Sequence, residues 1–145
     1  MSIRKAVIMA GGFGTRLRPL TMSIPKPMVP WQNRPMMEHI VSSSKRHGIR
    51  DVVFLAVLPA EHITEFFGEG TAHDISMRYM LAGGRLRYSR QCEECGVVSD
   101  ERFIIISGDV LTDIDIEKAV AFHEERGAMA TIVLTRVLSP FNTAS

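Results

Sequence analysis

The sequence predicts an α/β domain, with a mostly parallel sheet covered by helices on both faces in three layers. Three observations point there. Apolar strand patterns alternate with helical ones along the chain, the signature of strand–helix–strand crossovers. The strands read as buried runs, Ala6–Ala10 and Phe103–Ser107 most clearly, which suits a parallel sheet closed off from water. With 145 residues, 46% of them apolar, the chain can bury the core of one domain.

The first strand, Arg4–Met9, runs through Ala10 into a glycine-rich turn. Pro35 suits the first turn of a helix reaching about His47, with Met36, Met37, Ile40, Val41 and Ser44 on one side and Gly48 as the stop. Asp51–Leu58 is a second strand, ended by Pro59. Ala60–Phe67 reads as a short helix with Ile63, Phe66 and Phe67 facing the core, closed by Gly68. Ile75–Leu81 is a third strand and Phe103–Ser107 a fourth, leading to Gly108–Asp109. Asp113 or Asp115 can cap the next helix, Ile116–Arg126, with Gly127 as its stop. Ala128–Arg136 is the last strand expected. Ligands of such sheets bind at the carboxyl ends of strands, where both the glycine turn and Asp109 fall.

Composition narrows the function. A net charge of +1 with no run of Lys or Arg argues against a nucleic-acid surface. No apolar stretch is as long as a membrane span, and Ala6–Ala10 is too short for a signal sequence, so a cytoplasmic protein is expected. Cys92 and Cys95 form a C-x-x-C with no second pair to complete a zinc site, and Glu93 and Glu94 would raise the thiol pKa, so the pair reads as incidental.

The chemistry concentrates in Ala10–Pro35, A-G-G-F-G-T-R-L-R-P-L-T-M-S-I-P-K-P-M-V-P-W-Q-N-R-P. Gly11, Gly12 and Gly14 leave backbone N–H groups uncovered that can cradle phosphate oxygens. Arg16 adds a two-pronged phosphate grip, and Lys26 a point charge on a backbone stiffened by Pro25 and Pro27. The glycine spacing is neither G-x-G-x-x-G nor a P-loop, which counts against a dinucleotide-binding oxidoreductase. His39, His47 and His62 have no ligand-spaced partners and are assigned to surface or packing. Trp31 is either a lid over a sugar or a packed loop residue.

This string closely resembles the signature of the sugar-phosphate nucleotidylyltransferases, G-G-x-G-T-R-L-x-P-L-T…P-K-P-M, of the mannose-1-phosphate guanylyltransferase and glucose-1-phosphate nucleotidylyltransferase type. The resemblance implies a nucleotide-diphospho-sugar transferase fold with a Rossmann-like sheet. It also implies a reaction in which a hexose 1-phosphate attacks the α-phosphorus of a nucleoside triphosphate, releasing pyrophosphate. By carry-over, Ala10, Gly11, Gly12 and Gly14 would lie against the nucleotide, and Thr15 and Arg16 would hold the triphosphate. Lys26 would balance charge on the transferring phosphate, and Asp109, in I-S-G-D-V, would ligate Mg²⁺. Arg16, Lys26 and Asp109 are thus the catalytic candidates, and residues 1–145 the N-terminal portion of a catalytic domain.

The chain departs from the family pattern twice. Where the family carries a segment like P-L-G-T-A-G-x-x-K, residues 85–99 read R-L-R-Y-S-R-Q-C-E-E-C-G-V-V-S. The family's second metal-binding Asp and its sugar-phosphate Lys would fall beyond Ser145. Two local frameshifts would account for both departures. Permitted codons for Arg87–Gly96, CGG TAC AGC CGG CAG TGT GAA GAA TGC GGA followed by G, give Gly-Thr-Ala-Gly-Ser-Val-Lys-Asn-Ala-Glu from their second base. Asn142–Ser145 can likewise yield Tyr-Gly-Ile. Weak or absent turnover is then expected, and a non-catalytic nucleotide-binding module or partner of a complete homologue is the alternative. A shortened sheet would also leave an edge, favouring self-association.

Overall fold

A computed structural model describes residues 3–10, 14–56, 61–81 and 102–136. The chain divides into two compact units, Met1–Ile114 and Asp115–Ser145. The first is built on four parallel strands: β1 (Lys5–Ala10), β4 (Asp51–Ala56), β5 (Ser76–Leu81) and β6 (Ile104–Ser107). Their order is β5-β4-β1-β6. Between β1 and β4 lie a two-residue hairpin, β2 (Pro30–Trp31) with β3 (Arg34–Pro35), and the helix α1 (Met36–Arg46). The short helix α2 (Glu61–Phe67) connects β4 to β5.

Strand pleating sorts the core into two faces. Ala6, Ile8, Val52 and Phe54 are fully buried on one, and Val7, Val53 and Leu55 on the other. The second group is extended by Met9, Met80 and Phe103. Both faces of the central pair β1–β4 are therefore out of water, as the continuous apolar runs predicted. α1 buries Met37, Ile40, Val41 and Ser44. The Ser44 hydroxyl, which would be costly to bury alone, donates to the Ile40 carbonyl at 2.9 Å.

The second unit holds α3 (Ile116–Arg126). Of the two caps considered, Asp115 is the one used: its Oδ1 accepts the Lys118 N–H at 3.0 Å. Gly127 closes the helix at φ +57°.

Two expectations are overturned. Residues 128–136 form no strand, and Met129, Ile132, Val133 and Leu134 are exposed. Apolar, β-branched composition favours extended backbone, but a strand needs a hydrogen-bonded neighbour, and none among the described residues supplies one. Phe66, expected in the core, is 43% exposed. In so short a helix the i, i+4 stripe of Ile63 and Phe67 takes the buried face, and Phe66 instead lies against the rings of Phe67 and His73. The hairpin β2–β3 was not foreseen. Its turn residues, Gln32 and Asn33, both have positive φ, as the tightest hairpin turns require.

Candidate active site at the β1–β6 crevice

From β1 the chain builds outward to β4 on one side, and later to β6 on the other. The carboxyl ends of β1 and β6 therefore flank a crevice where the strand order reverses, the usual place for a ligand in an open parallel sheet. Met9 of β1 stands opposite Ser107 of β6, and the Gly108 N–H donates to the Met9 carbonyl at 2.7 Å. A Cβ on Gly108 would lie 2.9 Å from that carbonyl oxygen and 3.3 Å from the Ala10 Cβ. Only glycine allows so close an approach, and it delivers Asp109 to the exit of β1.

Lys26 reaches the same place from a single turn of 3₁₀ helix, Lys26–Met28, anchored by the buried Pro27. Its Nζ donates to Asp109 Oδ2 at 2.7 Å, across 83 residues of sequence. The Ser107 hydroxyl donates to the other carboxylate oxygen at 2.5 Å. The Lys26 and Ser107 hydrogen bonds hold the Asp109 carboxyl below its ordinary pKa, against the opposing effect of partial burial. Asp109 is therefore an ionised, oriented carboxylate. Its side chain is 42% exposed, so the ion pair adds little to stability and remains open to exchange.

Ala10 ends β1, and the chain is described again from Gly14, so Gly11 and Gly12 lie outside the described residues. Gly14 has φ +60° and caps a 3₁₀ turn, Thr15–Leu17, on which Thr15 and Arg16 are exposed. The Arg16 guanidinium makes no hydrogen bond or ion pair with the described residues. Of the predicted site residues, the structure thus brings Lys26 and Asp109 into contact and leaves Thr15 and Arg16 at the surface beyond the loop. Residues 82–101, with Cys92 and Cys95, also lie outside the described residues.

Sequence reasoning missed two hydroxyl groups here, Ser107 on Asp109 and Thr21 on the Gly14 carbonyl. The i, i+2 spacing of Ser107 and Asp109 was a usable signal; nothing local signalled Thr21. Trp31 is half exposed, its ring edge-on to His39 at 5.2 Å, and its carbonyl accepts from His39 Nε2 at 2.9 Å. That packing favours the loop-residue reading over the lid. A cavity of about 350 Å³ lined by Glu69, Thr71 and Arg78 lies at the opposite, amino-terminal end of β5, away from these groups.

Asp109 is a suitable donor for a divalent ion of the magnesium kind, which takes one or two carboxylates and completes its shell with phosphate and water. Among the described residues no three His, Cys, Asp or Glu side chains gather into a protein-only cage.

The nucleotidyl transferase family model matches residues 5–141. The chain belongs to that family. It is 33% identical to a UTP–glucose-1-phosphate uridylyltransferase of Synechocystis, covering 92% of this chain and 37% of the relative. It is also 33% identical to a mannose-1-phosphate guanyltransferase of Gibberella zeae, over 94% of this chain and 38% of the relative. The chain thus spans less than half the length of these curated relatives. Among solved structures, a candidate glucose-1-phosphate thymidylyltransferase from Bacillus anthracis superposes with a TM-score of 0.74 at 30% identity, over 83% of this chain and 50% of that one. HddC from Yersinia pseudotuberculosis shares the fold at a TM-score of 0.70 and 22% identity, over 83% of this chain and 54% of that one. No helix among the described residues is long and apolar enough to cross a membrane.

Proposed function

We propose that residues 1–145 are the N-terminal portion of a nucleotidyl-transfer domain acting on a nucleoside triphosphate and a hexose 1-phosphate, glucose or mannose. The observation that carries this reading is the Lys26–Asp109 pair at the carboxyl ends of β1 and β6, in a chain of this family. In the reaction a phosphate oxygen of the hexose 1-phosphate bonds to the α-phosphorus. The bond from that phosphorus to the oxygen bridging to the β-phosphate breaks, and its electron pair leaves with pyrophosphate. The nucleophile is already an anion, so the protein must chiefly align two polyanions and offset their repulsion.

Each residue has a task in that scheme. Asp109, held ionised by Lys26 and Ser107, would bind Mg²⁺, which when present draws charge from the phosphates and orients them. Lys26 carries three N–H donors, so it can keep Asp109 and still meet a phosphate oxygen as charge grows there. Arg16 and Thr15, with Gly11, Gly12 and Gly14, would receive the triphosphate, and Ala10 would border the nucleotide. The ligands are small charged metabolites that do not cross membranes unaided, which favours a cytoplasmic setting. Self-association along β6, which among the described residues pairs only with β1, is also part of this reading. Light scattering that finds only monomer would remove that part.

The deciding experiment incubates the chain with Mg²⁺, glucose or mannose 1-phosphate, and GTP, UTP or dTTP in turn, and follows pyrophosphate and nucleotide sugar. Product in any pairing supports the enzyme. Nucleotide-dependent thermal stabilisation without product supports the non-catalytic binding module instead, and neither response rejects both readings.

A further inference from the structure

Thr21 closes the G-T-R-L-R-P-L-T string, yet no step above uses it. We infer that Thr21 is a positioning residue for the triphosphate arm, acting through the Gly14 carbonyl on Thr15 and Arg16. The inference rests on the proposed reading that this arm receives a polyphosphate. Its basis is geometric. The Thr21 hydroxyl donates to the Gly14 carbonyl at 2.6 Å, across seven residues. The same carbonyl accepts the Leu17 N–H at 2.9 Å. Both lone pairs are then engaged, and the carbonyl dipole is turned into the Gly14–Thr21 loop. A bound polyanion is thereby spared an inward-facing carbonyl oxygen, whose partial negative charge would repel it.

The contact is intimate as well as polar. A Cβ on Gly14 would come within 2.8 Å of the Thr21 Cγ2, so the left-handed Gly14 and the Thr21 side chain fit each other. Between them stand Thr15, Arg16, Leu17 and Arg18, all exposed. Thr21 itself sits in a second 3₁₀ turn, Leu20–Met22, closed by the Met22 N–H on the Pro19 carbonyl at 3.1 Å. The hydroxyl thus staples the start of one turn to the next. It fixes where the Arg16 backbone stands, although the Arg16 side chain is tied to nothing among the described residues. An arginine on a held backbone loses less freedom on gripping phosphate than one on a loose loop.

The test compares the wild-type chain with Thr21→Val, which keeps shape and loses the hydroxyl, and Thr21→Ser, which keeps the hydroxyl. Thr21→Ala removes hydroxyl and methyl together, and stands in if valine does not fold. The probe is inorganic tripolyphosphate, which carries no base, titrated calorimetrically, with thermal unfolding followed in parallel. We expect Thr21→Val and Thr21→Ala to bind about tenfold more weakly, ~1.4 kcal/mol, and Thr21→Ser within about twofold of wild type. Wild-type binding that survives loss of the hydroxyl would overturn the role of Thr21 and leave the phosphate site standing. So would equal losses in Thr21→Ser and Thr21→Val. Failure of the wild-type chain itself to bind tripolyphosphate would overturn the site and the inference together.

Discussion

The two flanks of β1 are made of similar residues and end in different states. On one side β4, D-V-V-F-L-A, buries every apolar side chain it has, with Val52 and Phe54 fully inaccessible. On the other side β6, I-I-I-S, pairs with β1 over four positions and leaves Ile105 54% exposed. Burial here follows from position in the sheet, since β4 has strands on both sides and β6, among the described residues, only on one. The closed flank holds the core, and the open one presents the candidate site. Asp109 is placed by a strand that contributes little to the core, so its surroundings can rearrange around a ligand at small cost.

Truncation should separate the two flanks most. Phe54→Ala should destabilise the domain by about 4 kcal/mol, as for a large aromatic lost from a packed core, while Ile105→Ala should cost less than about 1 kcal/mol. Urea unfolding measures both, and similar values would mean that the two flanks are packed alike. The next effect is at the junction itself. Gly108→Ala drives a methyl against the Met9 carbonyl, 2.9 Å from where its Cβ must sit, and should cost about 1–3 kcal/mol in the same assay.

The site should respond in the opposite sense to the core. Lys26→Met removes an exposed ion pair, so stability should move by less than about 1 kcal/mol. Affinity for Mg²⁺–nucleoside triphosphate should nevertheless fall about tenfold, read by calorimetry, because the ligand loses its point charge. A loss of stability larger than the loss of binding would make Lys26 a structural residue.

The smallest effect lies on the closed flank and appears only in alkali. Burial pushes the Tyr79 hydroxyl up to about 12, and it donates to the Gly68 carbonyl at 2.6 Å. A phenol whose folded pKa is raised contributes stability below its unfolded pKa of about 10, and loses it as pH rises towards 12. The difference in melting temperature between wild type and Tyr79→Phe should therefore shrink between pH 9 and the alkaline limit. A constant difference would mean that the hydroxyl does not titrate within the fold.

Elements whose evidence is local were legible in the sequence. The strands at Lys5–Ala10 and Ile104–Ser107, and the helices Met36–Arg46 and Ile116–Arg126, fall within about a residue or two of their predicted bounds because apolar period, proline and glycine marked them. Pairing was not legible. Residues 128–136 have the composition of a strand, but composition says nothing about whether a neighbour is present. The hairpin at Pro30–Pro35 was hidden because Gln32–Asn33 lacks the glycine that usually betrays so tight a turn. In the site, the sequence points to Lys26 and Asp109 separately, and only the folded chain brings them together across 83 residues. Thr21 and Ser107 act by hydrogen bonds to groups they do not resemble, and a hydroxyl in sequence does not announce its partner.

The most direct test of the account is calorimetric binding of a nucleoside triphosphate with and without Mg²⁺, to wild type and to Asp109→Asn. Mg²⁺ should strengthen binding to the wild-type chain by tenfold or more, and the variant should lose most of this gain while folding normally. An equal Mg²⁺ response in both chains would contradict it, because the ion would then be held by something other than the carboxylate that β6 delivers to the crevice.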